Sequence, residues 1–502
     1  MKIRASRSPL LASIRELLKT SSLPDNKKYS RREFLKRSVQ TSALLAASPL
    51  LPKISLAKDA PKIAIIGGGI AGLNAAYTLR KAGIIAHIYE GSNRIGGRIF
   101  TGKNILAEGL ATELGGEFID SSHSEMLSLA KEFKLELIDR KPASSMLIER
   151  AYYFGSRLRS EKEVIEAFNP YLDTIRADAN SLPKYFDHQN NGNAATLDTL
   201  SIAEYFRQLG ISGWVKDLLD VAYITEFGLE TSEQSALNFI TMIGTDISGG
   251  FEIFGSSDER YVIEGGNTRL IDELNKRLSG QSAVSQKLES IRAKGKGFTL
   301  SFDGSKEVDA DILLLTIPFT MLREIEIKAE LADWKRKAIN ELGYGNHTKV
   351  MAGFTHAPWQ VSGYAGEIFS DENFQLCWDN SGGNGQGLTS FTGGKKSIES
   401  GKGSVKFQAD KFIGELDKIF PGTKDAANGK NTRFNWTTYP FTKGSYSCYK
   451  PGQWTSIHGA ESKPIGNLFF AGEHTSLDFQ GFMNGGADSG KKAAEEIIAL
   501  VK

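Results

Sequence analysis

"KIAIIGGGIAGLNAAYTLRKAGIIAHIYEGS", residues 62–92, decides how this chain begins to fold. Four apolar residues, Ile63 to Ile66, read as a buried strand. Gly67-Gly68-Gly69-Ile70-Ala71-Gly72 reads as a turn, and the spacing beyond it as a helix to Lys81. A second strand is expected from Ile84 to Tyr89, with Glu90 at its end, 18 residues after Gly72. The chemistry fits the spacing. Gly67 permits a tight turn, Gly69 lets backbone approach a pyrophosphate, and Gly72 lets the helix pack on the strand. The free N–H groups of the helix N-terminus, around Ile70 and Ala71, face the phosphates, while Glu90, followed by Gly91, reaches a ribose. A lone G-x-G-x-x-G says little. Strand, turn, helix, strand and acid in this order predict dinucleotide binding.

The chain has 502 residues, 40% hydrophobic and 24% charged, which predicts two or three folding units rather than one. Its net charge of +2 is unevenly spread. Residues 1–57 hold 12 Lys/Arg and 3 Asp/Glu, leaving 49 basic and 56 acidic residues in the rest. That balance gives no reason to expect a nucleic-acid partner. The leader contains "SRREFLKRS" (30–38), the apolar run "VQTSALLAASPLL" and the small-x-small site Ser55-Leu56-Ala57. A basic segment, a short apolar run and a small-residue cleavage site describe an export signal, too short to make a stable membrane span. Arg31-Arg32 with Phe34-Leu35-Lys36 resembles the bacterial twin-arginine signal, which implies the twin-arginine export machinery and a periplasmic or secreted protein. Cys377 and Cys448 are the only cysteines, and their spacing does not say whether they pair. With no CxxC or HExxH, no metal site is expected.

Further along, "TLDTLSIAEYFRQLG" carries a capping box, Ser201 with Glu204, that opens a helix. "YVIEGGNTRLIDELNKRL" reads as strand, Gly265-Gly266 turn and amphipathic helix. "GFTLSF" and "SKEVDADILLLTIP" read as strands, residues 381–405 as a loop-rich region, "GNLFFAGEHTS" as a buried strand before a polar turn, and "GGADSGKKAAEEIIALV" as a closing helix.

Four separated blocks share a direction: "EGSNRIGGRIF" (90–100), "TELGGEFID" (112–120), "GYGNHTKVMAGFTHAPW" (343–359) and "FFAGEHTSLDFQGFMNGGADSG" (469–490). With the fingerprint they resemble the flavin-containing amine oxidase superfamily, near the monoamine and polyamine oxidases, over essentially the whole chain after the leader. The resemblance implies an α/β, two-domain fold: a Rossmann-like FAD-binding domain of the glutathione-reductase type plus a mixed-sheet and helix substrate domain. It assigns 1–57 to the signal, 58–140, 259–325 and 436–502 to the FAD domain, and 141–258 and 326–435 to the substrate domain.

The resemblance also distributes roles. Arg94, Gly97 and Arg98 match the block that holds flavin phosphate and ring, and Gly115 and Gly116, with Glu117, match backbone passing the isoalloxazine. Gly472 and Glu473 match the acidic turn near the ribitol and phosphates; His474 reads as a structural hydrogen-bonder. Leu288, Trp436, Gly481 and Met483 complete the cofactor-facing set. Lys349 matches a lysine that hydrogen-bonds through water to flavin N5, and Tyr446 and Phe482 match the two sides of an aromatic cage. Monoamine oxidases carry Trp, eight residues, then Cys-Tyr, the cysteine bonding the flavin. Here Trp436 is followed by eight residues and Ser445-Tyr446. Non-covalent FAD is therefore expected. Cys448 reads as a bystander, or a partner for Cys377. In a strand-like segment its offset of three from Ser445 turns it to the opposite face.

What the resemblance implies is oxidation of an amine: hydride leaves the carbon alpha to nitrogen, the imine hydrolyses, and O2 is reduced to H2O2. Rival readings are an L-amino-acid oxidase, an amine dehydrogenase passing electrons to a quinone or carrier, and a flavin-binding protein without turnover. The first of these places an arginine just after the glycine pair, where this chain has Glu117 and Phe118. Glu226, Glu230 and Glu252 read either as a grip for a diamine's distal ammonium or as solvated acids. The sequence leaves the amine and the oligomeric state open.

Overall fold

A computed structural model describes residues 60–141 and 146–502; the expected export signal lies outside them. Ile63–Ile66 is a fully buried strand, and the helix Ile70–Lys81 follows directly from the glycine turn. The second strand begins at Ala86 rather than Ile84. The helix ends through Gly83 at φ +82°, Ile84 N–H donates back to Leu79 at 2.9 Å, and Ile85 is exposed. Of the two residues expected in the strand, Ile84 thus completes the helix cap and Ile85 lies exposed after it.

Five parallel strands form the first sheet, in the order Leu468–Phe470, Ile312–Leu315, Ile63–Ile66, Ala86–Tyr89, Ser282–Ala283. Parallel sheets need both faces covered, which explains the unbroken apolar runs. One core cluster joins the sheet to the helices Ile70–Lys81 and Met483–Val501; another joins it to a four-stranded sheet. That second sheet runs in the order Lys306–Ala310, Gly297–Phe302, Leu288–Lys294, Glu326–Lys328. The last strand pairs in parallel with Ser290–Arg292, and Ala338 and Ile339 of the helix Asp333–Glu341 belong to the same core. Residues 326–341 therefore pack with the dinucleotide-binding part rather than with the segment 326–435 to which they were assigned.

The seven-stranded sheet runs Ala427–Asn435, His347–Phe354, Gly387–Gly393, Leu376–Asp379, Tyr364–Ser370, Ile148–Tyr153, Leu158–Arg159. Its pairs are antiparallel except that between Tyr364–Ser370 and Ile148–Tyr153. Here the expectation of a loop over 381–405 fails: Gly387–Gly393 is an inner strand, and Gly394–Ser400 is a helix. Gly387 and Gly393, two of the glycines that suggested turns, serve close packing instead. A Cβ on Gly387 would stand 2.3 Å from Asn380 Oδ1, and one on Gly393 would stand 2.1 Å from the Ile224 carbonyl oxygen. Helices between residues 161 and 240 cover one face of this sheet and share a core with it. Among them, Ile202–Leu209 begins with the expected capping box of Ser201 and Glu204.

Residues 436–452 are not strand-like. They run as turns and bends, tied by an isolated bridge from Ser447 to Tyr344. Pro440, which cannot donate to a ladder, and Gly444 interrupt the strand here.

Candidate active site

A cavity of about 570 Å³ opens between the glycine turn and the seven-stranded sheet. It is lined by Gly67, Gly69, Ile70, Ala71, Glu90, Gly91, Arg94, Gly97, Arg98, Gly115, Gly116, Glu117 and Leu288. From the later blocks come Lys349, Trp436, Tyr446, Gly472, Glu473, Gly481, Phe482 and Met483. Gly72 stands behind this lining. A Cβ there would meet the Gly67 carbonyl oxygen at 2.1 Å and Thr316 Oγ1 at 2.9 Å, so it packs the helix on the strand.

At the fingerprint end, the Glu90 carboxylate accepts from Gly68 N–H at 2.7 Å and Ser92 N–H at 2.8 Å. The backbones of Gly69 and Gly97 nearly touch: a Cβ on Gly97 would stand 3.1 Å from Gly69 Cα. Arg94 braces that turn by donating to the carbonyls of Gly97 and Ile99 while lying over Phe100. Arg98 donates to the Ser445 carbonyl at 2.7 Å and to Glu473 at 2.9 Å. Glu473 also accepts from Ser447 Oγ at 2.7 Å and Gly481 N–H at 2.9 Å. Burial acts to raise its pKa, but the Arg98 charge and these donors outweigh burial and keep the carboxyl below its usual range. His474 stays neutral, pushed down to about 4 chiefly by burial, and packs edge-on against Phe319.

Lys349 sits in a strand buried along its whole length. Its ammonium donates to the Glu113 carbonyl at 3.0 Å, the Gly115 carbonyl at 2.9 Å and Glu117 Oε2 at 2.8 Å. An ammonium has three N–H donors, and protein takes all three. Glu117 is held in turn by Trp378 Nε1 at 2.9 Å on its other oxygen. Glu117 thus joins the cavity wall as the counter-ion of Lys349, a partnership across 232 residues that no local motif signals.

Ser445 has a specific environment as well. His347 Nε2 lies 2.9 Å from the Thr225 carbonyl, which only accepts, so Nε2 carries the ring proton. Nδ1 then accepts from the Ser445 hydroxyl at 2.7 Å. Burial pushes His347 down to about 3, and its ring is sandwiched between Phe391 and Tyr446 at 4.5 and 4.8 Å. Tyr446 donates its hydroxyl to the Glu226 carbonyl at 2.6 Å. Phe482, on the cavity wall before the helix Met483–Val501, packs edge-on against His123. Cys448 is absent from the lining; its buried thiol faces Asn238 at 3.6 Å. Cys377 and Cys448 are both free and buried.

Sequence reading missed His347, Trp378 and Phe391 as wall residues. His347 was recoverable, because it lies two residues before Lys349 on one strand and shares its face. Trp378 and Phe391 come from neighbouring strands, the second inside the segment read as loop. Of the three acids weighed for an ammonium, Glu226 lines the cavity. Glu230 instead accepts from the backbone of Lys395, and Glu252 from Arg150.

Glu113, beside this wall, gives a pH prediction. Burial raises its carboxyl to about 7, against lowering by donors from Asn267 and Thr101. A carboxyl raised in the folded state contributes stability that is present below its unfolded pKa of about 4.5 and lost as pH rises through 7. Glu113→Gln mimics the protonated form at every pH. Its melting temperature is expected to gain on the wild type by several degrees between pH 5 and 8. A constant difference across that range would contradict the assignment.

A glycine turn at a helix N-terminus, facing an aromatic wall and a buried lysine, fits the cleft of a dinucleotide-dependent oxidoreductase. Residues 70–498 match the family model described as flavin containing amine oxidoreductase, and the chain belongs to that family. It is 24% identical over 475 residues to "Putative L-amino-acid oxidase YobN" of Bacillus subtilis, covering 89% of this chain and 96% of that protein. It is 23% identical over 494 residues to pseudooxynicotine dehydrogenase of Pseudomonas sp, covering 94% and 96%. Among solved structures, cyclohexylamine oxidase from Brevibacterium oxydans superposes with a TM-score of 0.77 at 22% identity, over 88% of this chain and 99% of that one. The protein is a flavin-dependent amine oxidoreductase with the two-domain α/β fold of its family, and its cofactor is FAD. The cradle fits that group: Gly67, Gly69, Gly97, Gly115 and Gly116 present bare backbone to the cavity, and Glu90 stands on the same wall.

Proposed function

We propose that the enzyme oxidises an amine rather than an amino acid, with FAD held non-covalently. The carrying observation is the state of the cations that line the cavity. Arg98 is committed to Ser445 and Glu473, Arg94 to the glycine turn, and Lys349 to three acceptors. Lys287 stands beside Gly91, at the fingerprint end. Among the described residues, the guanidiniums in the lining are those of Arg94 and Arg98; Arg140, over the outer side of this wall at 3.9 Å from the Phe118 ring, is not in the lining and donates to the Glu259 carbonyl, which leaves none beside Trp378 and Tyr446 for a substrate carboxylate.

When bound, FAD would supply the two-electron redox chemistry, so that an amine losing hydride from the carbon alpha to nitrogen would leave as an imine, hydrolysed to aldehyde and ammonia or a smaller amine, with O2 reduced to H2O2. The protein binds and orients. Gly67, Gly69, Ile70, Ala71 and Glu90 would hold the dinucleotide; Arg98, Gly115, Gly116, Glu473 and Met483 would hold the flavin end. Tyr446 and Phe482 flank the amine and exclude water, and dry walls favour its neutral, reactive form. Lys349, paired with Glu117, adds no net charge of its own to that wall and holds the Glu113–Glu117 turn in place. Non-covalent binding is supported by the Ser445 hydroxyl being engaged with His347 and by Cys448 lying outside the cavity. The leader's Arg31-Arg32 pattern supports export of the folded protein to the periplasm.

The test exposes purified protein in air to primary amines, polyamines and L-amino acids while peroxide is recorded, and then precipitates it with acid. Peroxide with amines and yellow FAD in the supernatant are expected. Peroxide with amino acids alone would overturn the substrate class. Flavin bleaching without peroxide would move the electrons to another acceptor, and colour kept in the pellet would restore a covalent bond.

A further inference from the structure

Glu259 stands apart from every other acid on the cavity wall. Its backbone is left-handed at φ +44°, a conformation that non-glycine residues adopt rarely and that clusters at functional sites. The strain is held on both sides: its N–H donates to Asp120 Oδ1 at 3.0 Å, and its carbonyl accepts from Arg140 at 3.0 Å. Fixed in this way, the side chain lines the cavity. Its carboxylate makes no hydrogen bond or ion pair with any described residue.

The neighbouring charges have other commitments. Arg150 is paired with Glu367 at 2.8 Å and Glu252 at 3.3 Å, and also approaches Glu149. Arg140 lies over the Phe118 ring at 3.9 Å and spends a donor on the Glu259 carbonyl, so its charge offsets the carboxylate only in part. Glu367 and Asp120 add negative charge to the surroundings. Lys349 is neutralised by Glu117. The Tyr446 phenol feels both Glu226 and Glu259, which puts the acid within reach of the proposed cage. Burial raises the Glu259 carboxyl to about 7, as befits an acid awaiting a partner. An unpaired carboxylate at a dry aromatic wall is unfavourable unless a ligand supplies the cation.

We propose that Glu259 is a specificity-determining residue that receives a second cationic group of the substrate, so that the preferred substrate is a diamine or an amine with a distal ammonium. The proposal rests on amine oxidation as the reaction. Glu259→Gln keeps the shape and removes the charge.

The test compares α,ω-diaminoalkanes with n-alkylamines of matching length on wild type and Glu259→Gln. Anaerobic flavin bleaching and KM are followed separately from kcat. The wild type is expected to favour a diamine in kcat/KM. In the variant the diamine-to-monoamine ratio should fall about tenfold or more, mainly through KM. Melting temperature should not fall, because the substitution removes an unpaired charge from the cavity wall. A wild type indifferent to the second ammonium, or a ratio unchanged in the variant, would overturn the proposal. Failure of every amine to bleach the wild-type flavin would instead overturn the reaction itself.

Discussion

Gly115→Ala protein should purify with little flavin and melt well below the wild type. The new Cβ would stand 1.9 Å from the Arg98 carbonyl oxygen and 2.9 Å from Trp436 Cζ2. Neither neighbour is free to give. Arg98 O accepts from Gly116 N–H at 3.0 Å, and Trp436 is held by its Nε1 donating to Leu114 at 2.9 Å. Overpacking against fixed atoms costs about 1–3 kcal/mol, and here the strain falls on the turn that meets the cofactor. The flavin-to-protein absorbance ratio and a thermal melt check this. A variant with full flavin content and an unchanged melt would show that the 114–117 turn is not the tight seat described.

Lys349→Met should do more damage than the loss of one charge suggests. It strips donors from two buried carbonyls and leaves the Glu117 carboxylate with only Trp378. Breaking a buried pair from one side costs about 3–5 kcal/mol, because the remaining charge stays desolvated. Amine turnover should fall on the order of a hundredfold as the turn shifts against the cofactor. The double variant Lys349→Met/Glu117→Gln separates the two effects. It is expected to recover much of the stability and little of the turnover. Equal melting of single and double variants would deny the pairing. Full activity in either would deny the positioning role.

Local patterns made the dinucleotide unit legible, because each residue from Ile63 to Glu90 states its task within one turn or strand. Strand ends were less legible: Ile84 and Ile85 look like strand residues until the Gly83 cap claims Ile84 and leaves Ile85 exposed. Glycine misled over 381–405, where Gly393 stands for close backbone contact between a strand and a helix, and only the tertiary partner, Ile224, reveals that. Lys349 was visible as an anomaly in an apolar strand, but its three acceptors were not, since they come from residues 113–117. Glu117 read as a cofactor neighbour and turned out to be the ion-pair partner of that lysine. Glu259 carried no signal at all. Its distinguishing property is a backbone angle, and no motif encodes that.

The most direct test is the spectrum of the purified protein under anaerobic conditions, first with a primary amine or diamine and then with L-amino acids. The amine is expected to bleach the bound flavin, and L-amino acids of similar size to leave it oxidised. Bleaching by amino acids with amines inert would contradict that expectation.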